Sequence, residues 1–226
     1  MSAPDYGRAF ALWRAAAPGW RAYTRHAFVE GLGDGTLPRA AYLHYLAQDY
    51  VFLIHFARAW ALLAAKAESL AEMQAAARVL GGLVNTEMRL HVETCAAEGI
   101  TAEALEATPE APENLAYTRY VLEAGYSGDA LDLLAALAPC VLGYGEIGAR
   151  LAAGGHGPYA GWIATYAGAE YQALCIETGA LIDTALLCRL GPGWEALPRA
   201  ARLAGRFATA TRLEVGFWDM GLRGHA

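Results

Sequence analysis

The sequence predicts an all-α fold, a bundle of about seven or eight helices that forms a single domain over residues 1–226. Apolar residues recur every three or four positions along most of the chain, as on the buried face of a helix. No run alternates apolar and polar residues as a half-buried strand would. Glycine and proline cluster between the periodic stretches, where they end helices.

The apolar period predicts eight helical segments in order: 5–17, 20–31, 38–66, 69–98, 111–125, 127–153, 157–188 and 195–222. The GLGDG run at 31–35 reads as the loop after the second segment, and Pro38 suits the first turn of the third. A nucleotide-binding loop is a poor alternative for this run, because it follows a helix and has the wrong glycine spacing. Prolines mark a linker at 109–112, the GGHGP run at 154–158 is a firm break, and LGPG at 190–193 closes the seventh helix.

The hydrophobic content and the net charge of the chain indicate which partners it can bind: further subunits, nucleic acid or a membrane. The chain is 56% hydrophobic and 18% charged, with a mean hydropathy of +0.22, which fits helices that bury more than one face, either in a deep core or at a subunit interface. Of these two interpretations we favour the interface, and we expect an oligomer. A net charge of −6 without a basic stripe argues against a nucleic-acid partner. The longest apolar stretches contain glycine, proline or charge before reaching the roughly 20 residues of a membrane span, so no membrane partner is expected.

The N-terminus and the cysteines indicate the compartment. The N-terminus has no basic region followed by an apolar run, so it does not resemble a signal peptide. The four cysteines form no CxxC pair and are expected to be reduced thiols in the cytoplasm.

The third predicted helix carries a carboxylate, Asp49, in the middle of an apolar stripe. The stripe consists of Tyr42, Tyr45, Leu46, Asp49, Phe52, Leu53, Phe56, Trp60 and Leu63. An unpartnered carboxylate there would cost on the order of 2–7 kcal/mol, so Asp49 must have a partner or a function. Two interpretations stay open: hydrogen bonding to neighbouring tyrosines, or a pocket carboxylate that binds a polar ligand.

The sixth predicted helix places Cys140 directly after Pro139, on a stripe that continues to Tyr144. A proline inside a helix removes a backbone donor and bends the helix, and such kinks often border functional sites. Tyr144 lies one turn beyond the cysteine and could approach the thiol or a ligand. The alternative is that Cys140 is a small buried apolar residue, since no nearby histidine in the sequence would lower its pKa.

The last two helices add a further carboxylate and an aromatic face. Glu214 lies between aromatic residues, as a general acid with a raised pKa would, or it forms an ion pair with an arginine of its own helix. The possible arginine partners are Arg202, Arg206 and Arg212. On the seventh helix Tyr159, Trp162 and Tyr166 share a face that is either core or the wall of a pocket for a flat heterocycle.

Histidines next to acidic residues require a test for a metal site. Helical di-iron proteins repeat Glu-x-x-His on several helices, whereas Glu87 and His91 are four residues apart and have no second copy. An intrahelical contact, or a bond to a neighbouring helix, is the better interpretation of this pair. We therefore expect no metal and no cofactor.

Several segments together resemble the thiaminase II (TenA) family, in order and over nearly the whole chain. They are FVEGLGDGTL at 28–37, YLAQDYVFL at 45–53, LAPC at 137–140, GYGEIG at 143–148, WI at 162–163 with Tyr166, and RLEVGFWDM at 212–220. The resemblance implies a haem-oxygenase-like helical bundle without haem, assembled as a homotetramer, with a dimer as the alternative.

The resemblance also implies an activity and a set of site residues. The implied reaction is hydrolysis of thiamin or of 4-amino-5-aminomethyl-2-methylpyrimidine to the hydroxymethylpyrimidine used in thiamin salvage. Matched by motif, Cys140 is the nucleophile, Glu214 the acid and Tyr144 the tyrosine beside the cysteine. The implied substrate-binding residues are Asp49, which binds the aminopyrimidine edge, together with Tyr117, Tyr166, Phe52 and Phe217.

Two positions depart from the family pattern. His55 stands where many relatives are expected to carry an acidic residue, and Gly145 is expected to interrupt the helix after Tyr144. Two other functions remain open at this stage. The chain could be a non-enzymatic pyrimidine-binding or regulatory protein, or a metal-dependent enzyme on the same scaffold.

Overall fold

A computed structural model describes residues 4–154 and 157–224, and over these residues the protein is all-α. The described residues are 81% helical and contain no strand. The helices are α1 (Arg8–Ala16), α2 (Trp20–Thr24), α3 (Ala27–Asp34), α4 (Arg39–Ala65), α5 (Leu70–Gly82), α6 (Met88–Ala96), α7 (Ala102–Glu106), α8 (Pro112–Ser127), α9 (Ala130–Leu151), α10 (Ala160–Ala167), α11 (Ala169–Leu190) and α12 (Pro198–Arg223). A π-helical segment, Leu83–Glu87, joins α5 to α6, and a 3₁₀ turn, Trp194–Ala196, precedes α12.

The second predicted helix is in fact two, because His26 begins a new one. The His26 backbone is extended, and its Nδ1 accepts a hydrogen bond from the backbone N–H of Phe28 at 3.2 Å, as an N-cap does. The predicted loop at 31–35 is also shorter than expected. Gly31 and Gly33 lie within α3, and only Gly35, at φ 80°, ends it in the left-handed region.

The seventh predicted helix is also divided, at Gly168. This residue has an extended backbone between α10 and α11, which leaves carbonyl groups at the end of α10 without helical partners. The side chain of Gln172 supplies one of the missing donors. Its Nε2 donates to the carbonyl oxygen of Tyr166 at 2.8 Å and to that of Gly145 at 3.0 Å.

The fourth predicted segment, 69–98, is helical over most of its length but is not a regular α-helix. The π-helical segment widens it in the middle, and such segments often occur at functional sites. A short helix, α7, follows it and was not predicted. It begins where Thr101 Oγ accepts from the N–H of Ala104 at 3.2 Å. The predicted break at 154–158 lies partly outside the described residues.

The chain divides into two compact units, and the prediction of a single domain over 1–226 stays a prediction. Unit 1 consists of Met1–Leu37 and Leu134–Val215. In this unit α1 packs on α11, where the carboxylate of Asp183 accepts from the N–H groups of Arg8 and Ala9, each at 2.8 Å. Its aromatic core includes Phe10, Trp13, Trp20, Tyr23 and Phe207.

Unit 2 consists of Pro38–Leu133 and Gly216–Ala226 and is organised around α4. Helices α5, α6, α7 and α8 all pack against α4. The side chain of Gln48 on α4 donates to the carbonyl of Pro109 and accepts from the N–H of Ala111, at 2.9 and 3.0 Å. These bonds fasten the predicted proline linker to the central helix.

Helix α9 carries the cysteine of the sixth predicted segment. Among the described helices it alone is long and apolar enough to cross a membrane by length and composition, with a mean hydropathy of 1.5. However, 89% of its apolar window is buried inside the protein. The helix also continues through Gly145, so the expected interruption after Tyr144 is wrong.

Candidate active site

The predicted site residues divide evenly between the two units. Unit 1 carries Cys140, Tyr144, Tyr166 and Glu214, and unit 2 carries Asp49, Phe52, Tyr117 and Phe217. Seven of the eight side chains are buried, whereas Cys140 is half-buried. The cysteine is thus the most accessible member of the predicted set.

Cys140 lies on α9 between two carbonyl groups that accept hydrogen bonds from other helices of unit 1. The Tyr23 hydroxyl donates to the carbonyl oxygen of Pro139 at 3.2 Å. The Tyr171 hydroxyl and the Cys175 thiol donate to the carbonyl oxygen of Val141, at 3.2 and 3.5 Å. These bonds hold the backbone on both sides of Cys140.

Glycines in the GYGEIG segment make this close packing possible. A Cβ at Gly143 would lie 2.4 Å from Cε1 of Tyr23, and one at Gly148 would lie 2.5 Å from the backbone carbonyl carbon of Tyr166. Gly145 is similarly enclosed, because a Cβ there would lie 2.5 Å from the sulfur of Cys175. Each glycine therefore marks a contact that a side chain would prevent.

Tyr144 and Tyr166 meet, with ring centroids 5.0 Å apart. Trp162 completes the cluster at 4.5 Å from Tyr166 and 5.8 Å from Tyr144. The aromatic face predicted on the seventh helix thus packs against the residue one turn after Cys140. Tilted rings at these separations provide a rigid apolar wall.

Glu214 is 1% exposed on α12. Of its possible arginine partners, Arg202 and Arg212 are exposed and Arg206 is half-buried. An ion pair with Arg206 therefore remains the alternative to a general-acid role.

In unit 2, Asp49 has two protein partners on one carboxylate oxygen. The Tyr45 hydroxyl donates to Oδ2 at 3.0 Å, and His91 Nε2 lies 2.7 Å from the same atom. Asp49 and His91 are 3% and 4% exposed. The bond to a neighbouring tyrosine, one of the two interpretations left open for Asp49, is therefore present, and its role as a ligand-binding carboxylate stays a prediction. His91 makes the predicted bond to a neighbouring helix.

His91 is held at both ring nitrogens, because Nδ1 lies 2.9 Å from the carbonyl oxygen of Glu87, one turn earlier. Burial alone would lower the pKa of His91. The hydrogen bond and negative charge of Asp49, with Glu87 nearby, outweigh burial and raise that pKa. Within the described ranges, no group of three or more His, Cys, Asp or Glu side chains could hold a metal ion.

Three predicted apolar residues pack together in unit 2. The ring of Phe52 lies 5.0 Å from that of Tyr117 and 5.4 Å from that of Phe217. Phe52 follows Asp49 on α4 by nearly one turn, so the aromatic cluster and the carboxylate belong to one side of the helix.

His55, the first departure from the family pattern, belongs to a separate polar cluster. Its Nε2 lies 3.3 Å from Glu110, and Arg58 and Arg119 approach its two ring nitrogens at 3.2 and 3.3 Å. Burial and the charge of Arg119 lower the pKa of His55. The hydrogen bond from Arg119 likewise lowers the pKa of Glu110.

The sequence did not reveal the residues that hold the candidate groups in place. Tyr23 is 116 residues from Pro139, and nothing in the sequence links the two. For His91 the sequence did carry a signal. A histidine on the buried side of a helix needs a hydrogen-bond partner at each ring nitrogen, so a polar residue on another helix could have been expected beside it.

The comparisons with known proteins agree with the fold and with the resemblance. The chain belongs to the TENA/THI-4/PQQC family, whose model matches residues 13–224. The predicted membership of the thiaminase II family, the all-α fold class and the prediction of an enzyme are confirmed.

Particular relatives cover nearly the whole chain. The chain is 38% identical over 216 residues to the aminopyrimidine aminohydrolase of Halalkalibacterium halodurans, which covers 94% of each chain. A solved structure described as a TenA family transcription regulator, from Silicibacter sp. TM1040, is 63% identical. Its TM-score is 0.94, with 96% of this chain and 98% of that chain covered. A TenA homologue from P. horikoshii OT3 is 27% identical, with a TM-score of 0.84 and 96% and 99% covered.

Proposed function

We propose that the protein hydrolyses 4-amino-5-aminomethyl-2-methylpyrimidine or thiamin and releases 4-amino-5-hydroxymethyl-2-methylpyrimidine, in thiamin salvage. The observation that carries the proposal is Asp49, a buried carboxylate on the same helix face as Phe52, whose ring packs against those of Tyr117 and Phe217. Such a group provides a hydrogen-bond acceptor next to apolar walls, as an aminopyrimidine requires. The aminohydrolase relative at 38% identity supports the same substrate class.

In the proposed first step, Cys140 attacks the ring and Glu214 provides the proton. An aminopyrimidine is a poor electrophile until a ring nitrogen is protonated. The thiolate forms a C–S bond to a ring carbon, and the displaced electron pair goes to the ring nitrogen that receives the Glu214 proton. Glu214 is buried, so this proton transfer would take place away from water.

The second step exchanges the substituent. The electron pair of the dearomatised ring expels the amine, in its ammonium form, from the exocyclic methylene as ammonia, or expels the thiazole in the case of thiamin. Water then adds to that methylene and loses a proton. Finally the ring nitrogen returns its proton to Glu214, the C–S bond breaks, and aromaticity is restored. Covalent catalysis divides one difficult displacement into two easier steps.

The test compares wild type with Cys140→Ala, and the product is quantified by mass spectrometry with each substrate. We expect hydroxymethylpyrimidine from wild type and at least about a hundredfold lower kcat from the variant, with ligand affinity largely retained. Cys188→Ala is the matched control, because Cys188 is exposed and lies outside the predicted set. The faster of the two substrates identifies the physiological one.

A different result would reject specific parts of the proposal. If Cys140→Ala retained more than about a tenth of kcat, a loss of only ~1.4 kcal/mol, the covalent mechanism would be wrong. No product from wild type with either substrate would reject the hydrolase.

We also propose a cytoplasmic homotetramer. Apolar side chains are exposed on α11, with Ile176 at 57% and Leu187 at 53%, which supports association through helical faces. All four cysteines are free thiols, which supports the proposal of a reducing compartment. Light scattering coupled to gel filtration tests the assembly, and a monomer at micromolar concentration would exclude it.

A regulatory role is the second candidate function. It is favoured by the description of the 63% identical protein as a transcription regulator. The net charge of −6 disfavours direct contact with DNA. A gel shift at modest salt, with and without the pyrimidine, distinguishes the two roles. Retarded DNA would favour regulation, and unretarded DNA together with turnover would favour the hydrolase.

A further inference from the structure

We propose that His91 is a positioning residue that keeps Asp49 an acceptor-only group, so that the site selects 4-amino over 4-oxo pyrimidines. The inference rests on the proposed function, in which Asp49 binds the amino edge of the substrate. It adds that the choice between 4-amino and 4-oxo pyrimidines depends on His91, which does not itself touch the substrate.

The orientation of the His91 ring follows from its two partners. The Glu87 carbonyl oxygen, 2.9 Å from Nδ1, can only accept, so Nδ1 carries a hydrogen and donates it. At the other nitrogen a single proton lies between Nε2 and Asp49 Oδ2, which are 2.7 Å apart. If that proton is on His91, Asp49 is ionised; if it is on Asp49, the carboxyl group is neutral.

Two observations place this proton on His91. The Tyr45 hydroxyl also donates to Oδ2, which stabilises negative charge on that atom. In addition, the pKa of His91 is raised because the interactions with Asp49 and Glu87 outweigh the effect of burial. His91 and Asp49 therefore form a buried ion pair with its hydrogen bonds satisfied on the histidine side.

The pair leaves one carboxylate oxygen for a ligand. Oδ2 receives the bonds from His91 and Tyr45, and no residue in the described part of the chain donates to Oδ1. Because the carboxylate is ionised, Oδ1 can accept but has no hydrogen to donate. A 4-amino group offers it an N–H, whereas a 4-oxo group presents a lone pair to a negatively charged oxygen.

Removal of His91 should change the kind of hydrogen bond that Asp49 can make. A buried carboxyl group without its cationic partner takes up a proton, and a neutral carboxyl group can donate to a 4-oxo group. Sites that require a hydrogen bond from the substrate discriminate strongly against analogues that lack it. The preference for the amino compound should therefore fall, not merely the affinity.

The test measures Kd by titration calorimetry for 4-amino-5-hydroxymethyl-2-methylpyrimidine and for its 4-oxo analogue. We expect wild type to prefer the amino compound by about 100-fold or more, and His91→Leu and His91→Gln to lower this ratio at least about tenfold. His44→Gln, a half-buried histidine on the same helix as Asp49, is the control and should leave the ratio unchanged. Asp49→Asn serves as the reference variant. Its side-chain amide can donate a hydrogen bond to a 4-oxo group, so it should also show a weaker preference for the amino compound.

A second measurement needs no variant and guards against variants that fail to fold. We expect ¹⁵N NMR of the wild-type protein at neutral pH to show both ring nitrogens of His91 protonated. An unprotonated Nε2, or His91 variants that weaken both ligands equally, would overturn this inference while leaving the hydrolase intact. Wild type that binds neither pyrimidine and forms no product would overturn the proposed function and this inference with it.

Discussion

The hydroxyl of Tyr23 donates a hydrogen bond to the carbonyl oxygen of Pro139, at a distance of 3.2 Å, immediately before Cys140 in the chain. This approach depends on Gly143, because a Cβ there would lie 2.4 Å from Cε1 and 2.7 Å from the hydroxyl oxygen of Tyr23. The glycine thus connects the packing of unit 1 to the backbone that carries the proposed nucleophile.

Gly143→Ala should therefore destabilise the protein and lower kcat. We expect a loss of about 1–3 kcal/mol in the free energy of unfolding, because overpacking outweighs the better helix propensity of alanine. Urea denaturation and product formation are the measurements. Gly205→Ala on α12 is the control, since a Cβ there meets nothing within 4 Å. It should stabilise by about 0.5–1 kcal/mol, and equal behaviour of the two variants would contradict the close packing.

The ion pair of His91 and Asp49 predicts a pH-dependent contribution to stability. The folded-state pKa of His91 is raised above the unfolded value of about 6.5. Stability from the pair is therefore fully present below about pH 6.5 and is lost as the pH rises through the folded-state pKa. Urea unfolding of wild type and His91→Gln between about pH 6 and 9 should show their difference shrink with rising pH. A constant difference would mean that the histidine is not charged in the folded protein.

Thiol reactivity should separate the four cysteines into two pairs. Cys95 and Cys175 are fully buried, and burial raises the pKa of both thiols, that of Cys175 to about 12. Cys140 is half-buried and Cys188 exposed. Iodoacetamide should modify only Cys140 and Cys188 in the native protein, and all four after denaturation, as mapped by peptide mass spectrometry. Protection of Cys140 by the hydroxymethylpyrimidine would support its place in the site, and rapid labelling of Cys175 would contradict its burial.

Glu214→Gln should slow turnover by about 10²- to 10⁴-fold, the usual contribution of a general acid, with a smaller effect on ligand binding. The amide has nearly the same shape, so the change removes the proton without a large change in packing. The measurements are kcat by product formation and Kd by calorimetry. Asp219→Asn tests an exposed carboxylate on the same helix and should leave kcat unchanged. A Glu214 variant with normal kcat but lower stability would favour the ion pair with Arg206.

The candidate site shows where inference from sequence succeeds and where it stops. Asp49 and Glu214 were identified as carboxylates on apolar helical faces, and both are buried. This succeeded because the period of a helix assigns each residue to a face. The partner of Asp49 is His91, 42 residues away on another helix, and no local pattern could identify it.

Helix boundaries show the same limit at a smaller scale. The breaks at His26 and Gly168 were missed because the apolar period continues across both. The first break is stabilised by a side-chain cap. The second is stabilised by Gln172, whose amide donates to the carbonyl of Tyr166. In both cases a side chain forms a hydrogen bond with a backbone N–H or C=O group that has no partner within the helix.

The sequence by itself determined the all-α class, the position of most helices, the family and the set of candidate residues, because periodicity and short motifs are properties of neighbouring residues. Only the tertiary structure decided which oxygen of Asp49 is occupied, which residues hold the backbone around Cys140, and why three glycines follow it. These features depend on contacts between residues far apart in the chain. Such contacts form only when helices pack at particular distances, and the spacing of residues along one helix does not encode those distances.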